Sequence, residues 1–405
     1  MLTFKYEARD PSTGQKIHAE VQAESEQAAA KLISKEGLSP LSIKPVTTGG
    51  GLFGRFRNRI KTKDKVLFSR QLSTLINAGL PLVQSLRNVS GQTQNKALQV
   101  TITKLIVDIE AGSSFSGALG KYPDVFNEIF VNLVAAGEAS GTLDAALARL
   151  ADQQEKDAEI VSKIRGAMIY PIIVLVVMMG VVGFMVVTVL PQVEAIYKDI
   201  PGANLPLITR ILLAVSHFII NYWWLTLIIV ALIVFFGSRW ARSLGGRDFI
   251  DGAKMKAPLF GPLFMKVYMA RFTRTGQTLV ASGVPLIQML EIVARSINNI
   301  HLERSVTKAI EKVKGGKSLS ASLEGDENFL ELVPNMIHIG EESGSLEDML
   351  AKTADYYERE VDNQIKTVST IIEPVLMVIL GIVAFTIVAA VLLPVYGLVN
   401  QTNIV

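Results

Sequence analysis

The chain has 405 residues, of which 49% are hydrophobic and 19% charged, and its net charge at neutral pH is +3. This is too apolar for an ordinary soluble protein, and the apolar residues concentrate in three runs, as membrane spans do. There is no cysteine, which excludes disulfides and thiolate metal sites, and the four histidines (His18, His217, His301, His338) offer no ligand pair at helical spacing.

Residues 1–45 read as a small α/β module. Phe4, Tyr6 and Ala8 alternate with polar residues, as do Ile17, Ala19 and Val21, with a turn at Asp10–Gly14 between them. Ser25 is placed to cap a helix that Gly37 would stop, and Leu38–Ile43 reads as a last strand, giving a ββαβ order. The start of the chain shows no apolar signal-peptide core, so these segments are expected to stay on the side of synthesis. Residues 46–65 form a basic linker: a Gly-rich stretch, then Arg55, Arg57, Arg59, Lys61, Lys63 and Lys65 against one acid, Asp64. With Phe53, Phe56 and Ile60 at helical spacing, it reads either as an amphipathic segment on anionic membrane lipids or as a solvated tether.

Residues 66–167 read as a helical bundle, with helices expected at 66–78, 82–91, 95–111 and 126–137 and another from about Thr142. Gly79 and Pro81 mark a helix stop and restart. Nothing interrupts Leu143–Ile164, so that helix is expected to run on through Tyr170 and Pro171 into a first span, 168–190, which carries no charge. A periplasmic connection (191–218) follows, part of it expected on the membrane surface, then a second span at 219–237 with Tyr222, Trp223 and Trp224 at one interface. A second bundle covers 250–370, with Gly283 and Pro285 at its own helix corner. A third span at 371–393, entered past Glu373 and Pro374, leads to a periplasmic tail, 394–405. Lys156, Lys163 and Arg165 precede span one, Arg239, Arg242 and Arg247 follow span two, and nothing basic follows span three. The positive-inside rule then places both bundles in the cytoplasm, with the N-terminus inside and the C-terminus outside.

The chain says much of this twice. Phe68–Leu86 and Phe272–Leu290 share nine of nineteen residues at an offset of 204, and Gly137–Glu155 and Gly340–Glu358 share ten of nineteen at an offset of 203. The fold class is therefore mainly α: two duplicated cytoplasmic helical bundles with three transmembrane helices, plus the small N-terminal α/β module. Two like bundles feeding like spans must point the same way, and span two supplies the return.

Within the second repeat, Gly137, Glu138, Ser140 and Gly141 correspond to Gly340, Glu341, Ser343 and Gly344. The pattern reads as a tight helix corner, with Thr142 or Ser345 placed to cap the next helix. Glu138 and Glu341 are either docking contacts or partners of backbone amides. Gly315-Gly316-Lys317-Ser318 resembles the end of a phosphate loop, but Glu311 stands where the pattern needs glycine, so an inter-helix turn is expected. Carboxylates crowd the helices before the spans (Asp152, Glu155, Asp355, Glu358) with no histidine beside them, which points to a solvated face or an interface. Glu373, where the first copy has Tyr170, is either a functional acid or an interfacial residue. No catalytic, cofactor or metal site is expected. A small-solute transporter is the alternative, but it would need polar groups at mid-bilayer.

These paired blocks, the Tyr-Pro entering span one and the three-span layout resemble the type II secretion F and type IV pilus (PilC-type) inner-membrane platform family. The resemblance implies a non-enzymatic protein of the bacterial cytoplasmic membrane. Its implied partners are a cytoplasmic hexameric assembly ATPase, pilin or pseudopilin subunits, other inner-membrane alignment proteins and membrane lipids. It also implies self-association as a homo-oligomer, and no nucleic acid.

Overall fold

A computed structural model describes residues 2–9, 16–23, 26–35, 37–45, 59–198 and 207–402. The turn expected at 10–14, the cap at Ser25 and the linker over 46–58 lie outside them. The chain divides into two compact units, 1–61 with 94–100, and 62–93 with 101–405.

In the first unit, strands β1 (Leu2–Arg9), β2 (Lys16–Ala23) and β3 (Ser39–Pro45) form an antiparallel sheet in the order β2-β1-β3. Tyr6 pairs with Ala19 on one side and Ile43 on the other, and the register shifts at Glu7/Ala8. Helix α1 (Glu26–Lys35) adds Ile33 to a core with Tyr6 and Ala8. Gly37, at φ +77°, ends that helix as the sequence predicts.

The duplication lies in the second unit, apart from residues 94–100. The first copy comprises α2 (Thr62–Asn77), α3 (Leu82–Gln92), α4 (Lys96–Glu110), α5 (Phe115–Gly120), α6 (Glu128–Ser140) and α7 (Leu143–Phe184). Helix α7 is a single helix through Pro171. A π-helical segment, Met185–Val189, and α8 (Leu190–Lys198) continue it. Next come α9 (Leu207–Asn221), α10 (Trp223–Ala241) and α11 (Leu244–Lys256). The second copy is α12 (Gly261–Ala281), α13 (Leu286–Ser296), α14 (Ile300–Lys314), α15 (Leu319–Leu323), α16 (Leu332–Ser343) and α17 (Leu346–Thr402).

Both bundle cores are built on the same aromatic. Phe68 meets Phe126 at 5.6 Å between ring centroids, and Phe272 meets Phe329 at 5.1 Å. Phe130 completes a triad in the first copy, 4.9 Å from Phe126; the second has the smaller Val333 there, fully buried. Among the described residues, three helices are long and apolar enough to cross a membrane: those containing the first and third spans, and α10.

The structure adds three details to the segments around the spans. The helix that holds most of the expected second span, 219–237, covers Trp223–Ala241. Helix α17 runs on to Thr402, so the segment that follows the third span is helical as far as that residue. Helix α9 packs on its neighbouring helices. Its Ser216 Oγ donates to Val186 O at 2.5 Å, and its Thr209 Oγ1 donates to Ala390 O at 3.2 Å, both buried. Together with Leu213 it packs against the π segment and α17. Ser and Thr are polar enough to look interfacial in a sequence, yet each satisfies itself on a neighbouring helix backbone.

The two copies also pack on each other through α7. Gln153 Nε2 donates to Thr275 Oγ1 at 2.8 Å in a buried contact, and Lys163 pairs with Asp362 at 2.7 Å. Between those two levels Ile160 joins Leu263, Val267, Val361 and Ile365.

Candidate functional site

The repeated Gly-Glu-x-Ser-Gly corner assigns a separate task to each residue. Gly137 and Gly340 are needed for space. A Cβ on Gly137 would stand 2.6 Å from Ala146 Cβ, and one on Gly340 would stand 2.9 Å from Leu346 Cα, where the outgoing long helix crosses. Gly141 and Gly344 are needed for conformation: at φ +71° and +69° they are left-handed C-caps. Thr142 N donates to Gly137 O and Ser345 N to Gly340 O, closing the helix ends. Ser140 and Ser343 bond back to the carbonyls of Ala136 and Ile339. Thr142 does not cap α7 with its side chain; its hydroxyl pairs with that of Ser140 instead, at 2.7 Å.

Glu138 and Glu341 face a different segment. Glu138 accepts from Phe115 N (2.6 Å), Ser116 N (2.9 Å) and Ser116 Oγ (2.5 Å). Glu341 accepts from Leu319 N (2.6 Å), Ser320 N (3.1 Å) and Ser320 Oγ (2.5 Å). Each carboxylate thus seats on the first amides of a short helix, α5 or α15, whose Ser114 or Ser318 supplies the N-cap. Unpaired amides at a helix start attract an anion. Here the protein's own glutamate fills that place, which explains why Gly315–Ser318 looks like the end of a phosphate loop. The positive φ of Gly316, +89°, makes it a turn.

The helix corners repeat as closely. Gly79 and Gly283 have φ of +82° and +78°, and a methyl group at either position would meet nothing within 4 Å, so conformation alone selects glycine there. Pro81 and Pro285 are the N-caps of α3 and α13.

Sequence reasoning missed the pair that ties the two repeat blocks together. Arg70, third in the first block, donates through Nε and Nη2 to Glu155 (2.6 Å each) and through Nη2 to Asp152 (2.5 Å). Arg274, its counterpart, binds Glu358 at 2.8 Å and also Asp355. Hydrogen bonds to Glu155 and Asp152 raise the pKa of Arg70, and the same bond holds the Glu155 carboxyl below its usual range. For Arg274 burial works to lower the pKa, but the bonds to Glu358 and Asp355 outweigh it. The available signal was that Arg, Asp and Glu are identical at these positions in both copies.

At the expected membrane edge Pro171 is buried within α7, whereas Tyr170, Glu373 and Pro374 are exposed. The corner and the edge are far apart: from Leu346 to Glu373 is about 40 Å of helix at ~1.5 Å per residue. Further along, an apolar groove of about 200 Å³ opens between the first and third spans, lined by Val182, Met185, Leu212, Ile382, Ile387 and Val391. Among the described residues no three His, Asp or Glu side chains gather as a metal site.

The family described as "Type II secretion system (T2SS), protein F" matches residues 68–191 and again 272–394, and its N-terminal domain matches residues 1–44. The Type IV pilus assembly protein PilC of Thermus thermophilus is 38% identical over the full length of both chains. PilC of Pseudomonas aeruginosa is 36% identical over 91% of this chain and 98% of its own. The Type II secretion system protein F of the same organism is 36% identical over 99% of each.

Proposed function

The chain belongs to the type II secretion system protein F family, and from that premise we propose that it is an inner-membrane platform of a type IV pilus or type II secretion machine. On this reading it does no chemistry of its own. The two bundles dock a hexameric assembly ATPase in the cytoplasm, and the spans guide pilin or pseudopilin subunits into the fibre, beside inner-membrane alignment proteins and lipid. The N-terminus is cytoplasmic and the C-terminus outside.

The observation that carries the reading is the duplication itself: two bundles of one build, each continued without a break by a long helix that becomes a span. A push on either bundle is delivered to the membrane through a rigid rod. The spans suit apolar partners. Gly180, Gly183 and Gly381 leave open space where a Cβ would sit, and small residues let another helix approach closely. The groove between the first and third spans offers an apolar surface for the helix of a pilin. Identity to pilus and secretion relatives is alike, so the reading covers both machines.

In-cell crosslinking of the tagged chain followed by mass spectrometry tests this. The expected result is an ATPase linked to residues 62–166 or 250–366 and pilin-like subunits linked to the spans. Recovery of the chain with solute-uptake components and no ATPase would overturn it.

A further inference from the structure

Each long helix meets a proline at the end of its span away from the bundles, Pro191 after the first and Pro394 after the third, each preceded by leucine. Proline has no N–H, so the helical backbone loses one donor at each. In a plain α-helix the carbonyl that loses its partner lies four residues back, and for Pro394 in α17 that is Ala390 O. In the first copy the π segment moves the gap by one residue. There each carbonyl looks five residues ahead, as Leu190 N shows by donating to Met185 O. The next carbonyl in that pattern, Val186 O, looks to Pro191 and finds no N–H.

Those two carbonyls are the ones that α9 reaches. Ser216 Oγ donates to Val186 O and Thr209 Oγ1 to Ala390 O, and both residues are fully buried. They share a stripe of α9 with Leu213, which packs with Val186, Leu190 and Ala390. The opposite side of the helix, Ile211, Val215 and Phe218, is exposed. One short helix therefore supplies both missing donors, to two different spans, where an unpaired carbonyl in lipid is costly. Its Leu212 also lines the apolar groove between those spans, beside Val186, Leu190 and Ala390. His217, next to Ser216, bonds Glu194 at 2.6 Å and ties α9 to α8.

We propose that α9 is a clasp on this groove: seated on the two carbonyls that the prolines leave unpaired, it holds the far ends of the first and third spans together, and on lifting it lets them part and widens the groove. The prolines make the clasp necessary, because with an N–H at 191 and 394 each span would complete its own ladder. They also make it releasable. The bonds come from two side chains of a separate helix, and such bonds between membrane helices are individually weak. The two carbonyls stand within about 6 Å of the ends of the expected spans, at ~1.5 Å per residue, so water can take the place of the hydroxyls when α9 lifts. The clasp rests on the membrane placement of the spans and not on which partner the groove receives.

The chain has no native cysteine, so spin labels can be placed by single substitutions on the full-length protein in lipid nanodiscs. Labels at Val181→Cys and Val388→Cys, both exposed, read the separation of the two helices near the groove. Labels at Val161→Cys and Lys366→Cys, also exposed, read the same two helices near the bundles. The wild type should show one dominant far-end distance and a minor longer one. Thr209→Val and Ser216→Ala should each raise the longer population about fivefold, while Thr209→Ser, which keeps the hydroxyl, leaves it at the wild-type level. The near-bundle distance should stay fixed throughout, which also reports that the variants are folded. Pro394→Ala gives Ala390 O a donor from its own helix, so on that background the effect of Thr209→Val should shrink to about twofold or less. Equal effects of Thr209→Val with and without Pro394 would overturn the proposal, as would a far-end distance that Thr209→Val leaves unchanged. So would a near-bundle distance that shifts in step with the far-end one, since the whole helix pair and not its clasped end would then be moving.

Discussion

The two copies use one set of parts in different surroundings. In the first, the Arg70 clamp stands in the open: its guanidinium is 38% exposed and Glu155 is 42% exposed. In the second, Arg274 is 19% exposed and Glu358 13%, because Lys156 and its neighbours on α7 lie over them. The difference shows that the clamp is a device of the single unit, formed whether or not a neighbour covers it. What the neighbour changes is how much water the clamp sees, and hence how much its loss costs. The membrane helices diverge too: α7 gives way to a π-helical turn at Met185–Val189, while α17 runs through the equivalent place as plain α-helix. Ser216 bonds the Val186 carbonyl within that turn. A polar side chain from a third helix beside an irregular backbone is how such a turn is satisfied in lipid.

The largest break in the likeness of the copies should come from Gly137→Val and Gly340→Val. Each new side chain meets the crossing helix at under 3 Å, so backbone must shift, at about 3 kcal/mol. Hydrogen exchange should show each substitution loosening its own bundle and leaving the other protected; equal protection in both would contradict the corner as described. Next come Glu138→Ala and Glu341→Ala, which orphan the first amides of α5 or α15 at about 2 kcal/mol each. The readout is exchange of those amides, and both copies should respond alike because neither carboxylate depends on the other copy.

The clamp should separate the copies. Arg274→Ala removes a mostly covered ion pair and is expected to cost about 2 kcal/mol. Arg70→Ala, in the open, should cost about 1 kcal/mol or less. Equal losses in thermal unfolding would mean that covering by α7 has no energetic effect. The smallest effect concerns acid. Arg70 holds the Glu155 pKa below its ordinary 4.5. A folded pKa below the unfolded one means the contribution is present above that value and is lost as pH falls through the folded pKa. Acidification below about pH 4.5 should therefore loosen α2 from α7 in the wild type. The Arg70→Ala chain, which has already lost the bond, should show a flatter acid limb.

Much of this organisation was legible because it is written in local signals. Uncharged runs mark the spans, Gly79-Leu80-Pro81 marks a turn that only glycine and proline chemistry makes, and the repeat fixes which parts are equivalent. The clamp was not legible in that way. Arg70 and Glu155 are 85 residues apart, and nothing in an exposed charge tells which distant charge it faces. Glu138 was visible as special, but its partner amides lie 22 residues back in a helix too short to announce itself. The π turn has no composition of its own, and the packing of α9 was not legible because nothing in Thr209 or Ser216 tells which carbonyl each will meet.

One cytoplasmic motor can engage both bundles only if both lie on the same side of the membrane, and the platform reading stands or falls on that placement. Single cysteines placed at exposed positions in each bundle, Thr74 and Lys352, and beyond the first span at Gln192, can be probed in intact cells with a thiol reagent that does not cross the inner membrane. The platform reading predicts labelling at Gln192→Cys alone, with Thr74→Cys and Lys352→Cys reacting only after lysis. Labelling of either bundle from outside would contradict it.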